Sequence, residues 1–250
     1  MKSFPNSLSH AFAAAKAKVA APQWTVTNDR PRHAPTSHAA PGTLNTSAKD
    51  GFVFISAPRS EAADRYRRIA AAVIGGDWPR KRILVTSPGS GDGKTLTSVN
   101  LALALSERGQ SVFLAELSLM RPRYRFVFGS PSAAGVESVL KGQIQAEEIT
   151  FQLGDTRIGV ASVAMPMPSN DLLKETARLD TLLKLGERDF QWTILDVPSV
   201  SEYPAIGELA AQAGPVVMVA RSRKTKMKVF RQAAAELGAD LDYVLLNDVA

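Results

Sequence analysis

From Gly51 onward, short apolar runs alternate with longer stretches in which apolar residues recur at helical spacing. Ile83-Leu84-Val85, Ser111 to Leu117, Arg157 to Val163, Trp192 to Leu195, Pro215 to Ala220 and Tyr243 to Leu246 read as buried strands. Between them, Ser60 to Ile74, Leu96 to Arg108, Gly135 to Gly142, Ser169 to Leu185, Pro204 to Gln212 and Lys224 to Leu237 read as helices. Ser60 followed by Glu61 is a start signal, and Gly109 supplies a stop. Phe52 to Ser56 reads as a short strand or an extended arm. Strands that are apolar throughout and alternate with helices predict an α/β fold, a mainly parallel sheet with helices on both faces. Ligands of such sheets bind at the carboxyl ends of the strands, where Lys94, Glu116 and Asp196 all fall.

The junction after the first predicted strand carries the chemistry. Pro88-Gly89-Ser90-Gly91-Asp92-Gly93-Lys94-Thr95, with Leu96 opening a helix, is a phosphate-binding loop in outline. Its glycines let backbone N–H groups converge on an anion, and the helix turns its positive dipole end toward the phosphates. Lys94 is placed to reach the β- and γ-phosphates, and the Thr95 hydroxyl to hold Mg²⁺. The match is a variant, because Pro88 stands where the first glycine of the usual spacing belongs. Phosphoryl transfer also needs an acidic residue on the metal and a group that orients the nucleophile. Asp196, at the end of a strand, suits the first role. Glu116, at the end of the second predicted strand, is a candidate for metal or water contact, but its extra methylene relative to aspartate degrades catalytic geometry. Binding is better supported than turnover.

Composition narrows the picture. The chain has 250 residues, 45% of them hydrophobic, enough for one substantial domain. Residues 1–50 read as a flexible tail and 51–250 as the domain: Met1 to Ala20 is an Ala-rich stretch able to form a helix or stay disordered, and Pro22 to Asp50 has little to bury. With no cysteine, disulfides and thiolate metal sites are excluded. No apolar run approaches the ~18 residues needed to span a bilayer, and no signal peptide is expected. The net charge of +6 permits contact with anionic surfaces. Arg221, Arg223, Lys224, Lys226 and Lys228 form a basic run that either faces anionic lipid or an acidic partner or is a solvated helix start.

The order of these motifs carries a resemblance. Glu61 and Arg67 in an early helix, the loop through Lys94-Thr95, Asn100-Leu101-Ala102, Val112 to Pro122, Gly135 to Gly142 and Ile194-Leu195-Asp196-Val197-Pro198-Ser199 together resemble the bacterial tyrosine kinases (BY-kinases) of capsular and exopolysaccharide synthesis. The resemblance covers about Gly51 to Ala250. It implies a P-loop NTPase fold of the partition-protein and BY-kinase type, ATP/ADP and Mg²⁺ as cofactors, and Lys94, Glu116 and Asp196 as catalytic positions. It places Thr95, Glu116 and Asp196 on the metal and Gly89 to Leu96 on the nucleotide; by fold analogy Asn247 contacts adenine. It also implies a membrane polysaccharide co-polymerase as partner, cytoplasmic residence at the inner face of the membrane through that partner, and self-association through the early helix. Nucleic acid is not an expected partner.

The departures point to a degenerate member. The family's Asp-x-Asp-x-Arg appears as Glu116, Ser118 and Met120, its Asp-Thr-Pro-Pro as Asp196 to Ser199, and its Glu-x-x-Arg-x-x-Arg as Glu61, Asp64 and Arg67. A tyrosine-rich C-terminal cluster is missing, leaving Tyr66, Tyr124, Tyr203 and Tyr243. The expected function is nucleotide-dependent regulation of exopolysaccharide polymerisation or export, with weak or lost kinase activity. An active autophosphorylating kinase, a partition or positioning ATPase and a nucleotide-free scaffold remain as alternatives.

Overall fold

The computed structural model describes residues 51–129, 133–168, 176–238 and 241–248. The expected N-terminal tail and the predicted helix start at Ser169 lie outside these residues. In chain order the elements are α1 (Val53–Ser56), α2 (Glu61–Gly75), β1 (Arg82–Thr86), α3 (Lys94–Glu107), β2 (Val112–Glu116), α4 (Tyr124–Phe128), α5 (Val136–Leu140), α6 (Ala146–Ile149), β3 (Thr150–Gln152), β4 (Ile158–Ala161), α7 (Thr176–Asp189), β5 (Trp192–Asp196), α8 (Ile206–Ala210), β6 (Val216–Arg221), α9 (Met227–Leu237) and β7 (Tyr243–Asn247). The strands form one seven-stranded sheet in the order β3-β4-β2-β5-β1-β6-β7. All neighbours are parallel except the β3–β4 pair.

Burial on both faces explains why the strands are apolar throughout. Leu84, Phe113, Leu195 and Met218 pack on one side with residues of α5, α7, α8 and α9. Ile83, Val85, Leu114 and Ile194 pack on the other with α2 and α3. Each large side chain so buried contributes roughly 1.5–3 kcal/mol. The edges differ: β7 buries little, and Val244 and Leu246 are exposed.

Helix α2 begins as predicted, with the Ser60 side chain accepting from Ala63 N at 3.2 Å. It lies on α3, where Arg67 forks onto Glu107 at 2.7 and 2.9 Å and also reaches Asp64 at 2.8 Å. Of the charged triad expected to drive self-association, Arg67 joins α2 to α3, while Asp64 pairs with Arg67 and Glu61 with Arg65 along α2 itself.

Several expectations need correction. Phe52 to Ser56 is neither strand nor arm, because Phe52 is buried and Asn100 grips the backbone on both sides of it, accepting from Val53 N and donating to Gly51 O at 3.0 and 2.9 Å. That anchorage winds Val53–Ser56 into a helical turn. Helix α7 runs to Asp189, beyond Leu185. The pattern gave no warning of the antiparallel edge strand β3 or of the short helices α4 and α6. Helix α4 forms because Tyr124 and Phe128 are buried against each other, ring centroids 5.3 Å apart.

Candidate nucleotide site

Strand β1 ends at Thr86, the loop runs through Ser87 to Gly93, and α3 begins at Lys94. Gly91 and Gly93 have φ of +82° and +102°, a region L side chains rarely enter. At Gly93 space forbids a side chain as well, since a Cβ would collide with the amide of Asn247. Lys94 is buried, and its Nζ donates to Ser87 Oγ at 3.1 Å, while Ser87 Oγ donates to Gly89 O at 2.6 Å. The ammonium is thus held inside the loop.

Two residues expected on the nucleotide instead shape the loop. Asp92 is buried; one carboxylate oxygen accepts from Gly89 N at 3.1 Å and the other from Thr225 Oγ1 at 3.0 Å. Asn247 was placed on adenine by analogy, but its Nδ2 donates to Asp92 O at 3.3 Å. The end of β7 and the β6–α9 turn therefore clamp the loop from outside. That turn also carries Lys224, whose Nζ lies 3.7 Å from the point a Gly91 Cβ would occupy. One member of the basic run thus stands against the loop, which spacing alone did not reveal. Leu96 is half-buried and packs toward Gly51, so in the first turn of α3 its side chain serves the core.

Glu116 corrects a larger expectation. It sits at the end of β2 in register with Asp196 and is fully buried. One of its oxygens accepts from Arg123 N and from Tyr124 N, the latter at 2.9 Å, and the other accepts from Val163 N at 2.9 Å. Its carboxylate braces the turn after β2 and the segment after β4, so both oxygens are engaged by backbone amides. The extra methylene that spoils it as an aspartate substitute is what lets it reach those amides. Burial pushes its pKa up to about 7, against the pull of the amides.

Asp196 is the complement. It is fully buried, and neither carboxylate oxygen makes a hydrogen bond of normal geometry, although the Thr95 and Tyr124 hydroxyls stand close enough to pull its pKa down. Lys94, Thr95 and Tyr124 stand around it, and the buried hydroxyls of Tyr124 and Ser98 also lack partners of normal geometry. An orphaned buried carboxylate is costly, and a cation beside Thr95 relieves that cost. The residues present therefore fit Mg²⁺: Thr95 and Asp196 would hold it, and it would supply positive charge to bound phosphates. Burial pushes the Asp196 pKa up to about 6, opposed chiefly by Lys94. Because the folded-state value lies above the ordinary one near 3.8, folding loses stability as pH rises from about 4 to 6, on the order of 2–3 kcal/mol at neutral pH. Asp196→Asn is accordingly expected to raise the ligand-free melting temperature at pH 7.5, with the gain fading toward pH 4, and to end any strengthening of nucleotide binding by Mg²⁺. A lower melting temperature with intact Mg²⁺ dependence would contradict this assignment.

No protein-family model matches the chain. Tyrosine-protein kinase YwqD of Bacillus subtilis is 22% identical over 201 residues, 78% of this chain and 84% of YwqD. AmsA of Erwinia amylovora, provisionally named a tyrosine-protein kinase, is 24% identical over 173 residues, 67% of this chain but 23% of AmsA. Among solved structures, the kinase domain of the Escherichia coli tyrosine kinase ETK superposes with a TM-score of 0.71 at 20% identity, covering 79% of this chain and 80% of that one. The chain is thus similar in sequence to proteins named tyrosine kinases and shares the fold of BY-kinase domains. Among the described residues, no helix is long and apolar enough to cross a membrane.

Proposed function

We propose that this chain is a BY-kinase-like protein that binds ATP and ADP with Mg²⁺ and regulates exopolysaccharide polymerisation or export by docking on a membrane co-polymerase, its kinase activity weak or lost. The observation that carries this reading is the division of labour between the two strand-end acids. Asp196 is unpaired beside Lys94 and Thr95, as nucleotide binding requires, whereas Glu116 is spent on backbone amides. A site with one acid free for metal can hold a nucleotide but is poorly equipped to activate an acceptor hydroxyl.

The tyrosines support the same conclusion. Tyr66, Tyr124 and Tyr203 are buried, and Tyr243 is half-buried in β7. None of these four tyrosines offers a well-exposed acceptor to a neighbouring copy. The similarity to YwqD, named a tyrosine-protein kinase, supports the nucleotide, and the polysaccharide setting rests on the motif resemblance. The co-polymerase partner rests on the motif order from Gly51 onward.

Calorimetric titration with ADP and ATP in Mg²⁺, followed by phosphotyrosine detection on the same sample, tests the proposal. Both are repeated with the cytoplasmic segment of a candidate co-polymerase. Binding without phosphorylation is the expected result. Phosphorylation would make the protein an active kinase, and absence of binding under both conditions would leave a scaffold.

A further inference from the structure

The turn between β2 and α4 is held firmly from below. Glu116 takes the amides of Arg123 and Tyr124, Leu117 N donates to Asp196 O at 2.9 Å, and Leu119 O accepts from Met167 N at 3.1 Å. From this platform Arg121 extends with its side chain 71% exposed. Its Nη1 donates to Ser90 Oγ at 3.0 Å and stands 3.7 Å from Glu202 Oε1. Three segments far apart in sequence therefore meet over the crest of the phosphate loop.

Glu202 belongs to the turn that follows Asp196. Its Oε2 accepts from Ser199 Oγ at 2.7 Å and from Ser199 N at 3.3 Å. The same turn is fastened to the loop's beginning, with Val200 N donating to Ser87 O at 2.9 Å and Ser201 N to Pro88 O at 3.3 Å. Burial works to raise the Glu202 pKa, but the Ser199 bonds and the fields of Lys94 and Arg121 outweigh it and hold it low. An anion thus stands within reach of both cations at the phosphate loop. None of the expected nucleotide contacts includes Arg121 or Glu202.

We propose that Arg121 and Glu202 form a latch that senses the terminal phosphate of a nucleoside triphosphate. The inference rests on the nucleotide-binding reading. Lys94 and the loop amides answer the charge of a diphosphate. A third phosphate adds negative charge to the loop that Arg121 borders through Ser90 and the Glu202 turn borders through Ser87 and Pro88. That charge attracts Arg121 and repels Glu202, so the guanidinium exchanges a 3.7 Å carboxylate contact for a phosphate, to which arginine forks well. The Ser199–Pro204 turn, freed of Arg121, then differs between the triphosphate and diphosphate states. Ligand-dependent release of one element is enough to couple the site to a docked partner.

The test is calorimetry on the full chain with Mg²⁺-ADP and a Mg²⁺-bound non-hydrolysable ATP analogue, comparing wild type, Arg121→Ala and Glu202→Gln. Arg121→Ala is expected to weaken the triphosphate roughly tenfold and ADP by less than about threefold. Glu202→Gln is expected to tighten the triphosphate more than ADP, since it removes the competing anion. Melting temperatures report folding; both variants are expected to stay close to wild type, because the Arg121 side chain is exposed and the amide oxygen of a glutamine at 202 can still accept from Ser199. Equal effects on the two nucleotides, or none, would overturn the latch while leaving nucleotide binding in place. A folded wild-type protein that binds neither nucleotide would overturn both.

Discussion

Lys94→Met is expected to lower affinity for Mg²⁺-ADP and Mg²⁺-ATP by about 100-fold or more, abolishing binding at ordinary concentrations. The ammonium is buried inside the loop and held there by Ser87 Oγ. It is the cation to which polyphosphate charge would be transferred from water, and no neighbour can take its place from within the loop. Arg121 and Lys224 stand outside, on the crest. Methionine follows the same path without charge, so the fold survives, but Asp196 loses the ammonium that opposes its desolvation and the melting temperature falls modestly at neutral pH. Calorimetry on both proteins checks the pair of expectations. Unchanged affinity would remove the phosphate-loop assignment altogether.

The second large effect is on stability. Glu116→Ala leaves the amides of Arg123, Tyr124 and Val163 without their acceptor, and two of these bonds are buried. Unsatisfied buried N–H groups cost about 1–3 kcal/mol each, so the total is on the order of 3–5 kcal/mol. For a chain of this size that corresponds to a melting temperature about 10 °C lower. The loss should be clearest near pH 5. The folded-state pKa of about 7 lies above the ordinary 4.5, so ionising Glu116 costs stability as pH rises between those values. At pH 8 the substitution also removes that buried charge, and its net effect shrinks. Thermal melts at the two pH values read this directly. An unchanged melting temperature together with lost Mg²⁺ dependence would return Glu116 to the metal.

Much of the domain was legible because its strands are buried on both faces. Ile83 to Val85, Val112 to Ala115 and Trp192 to Leu195 have no polar face to blur their limits, and the Gly93-Lys94-Thr95 junction announces the loop through backbone requirements that glycine alone meets. Elements whose form depends on a single distant anchor were not legible. The turn after Phe52 winds into a helix because Asn100 grips the backbone on both sides of Phe52, and Tyr124 enters α4 because the core takes its ring. Partners far along the chain also decide what a polar side chain does. Asp92 and Asn247 look like ligand contacts until Thr225 and Gly93 are seen beside them. Glu116 reads as a metal ligand for a sound reason, an acid at a strand end beside a phosphate loop. The amides that claim it lie 7, 8 and 47 residues downstream, and no local pattern encodes that distance.

The strand order also bears on how the molecule is made. Strand β1 carries the loop, yet it pairs with β5 and β6, which begin at Trp192 and Val216. A chain emerging from the ribosome therefore presents the loop long before either flank exists, and the Asn247 clamp follows last of all. Pairings of such long separation form late. Nucleotide cannot guide the early nascent chain. It can only reward the completed domain by mass action, so any stabilisation by a bound nucleotide falls on the finished fold.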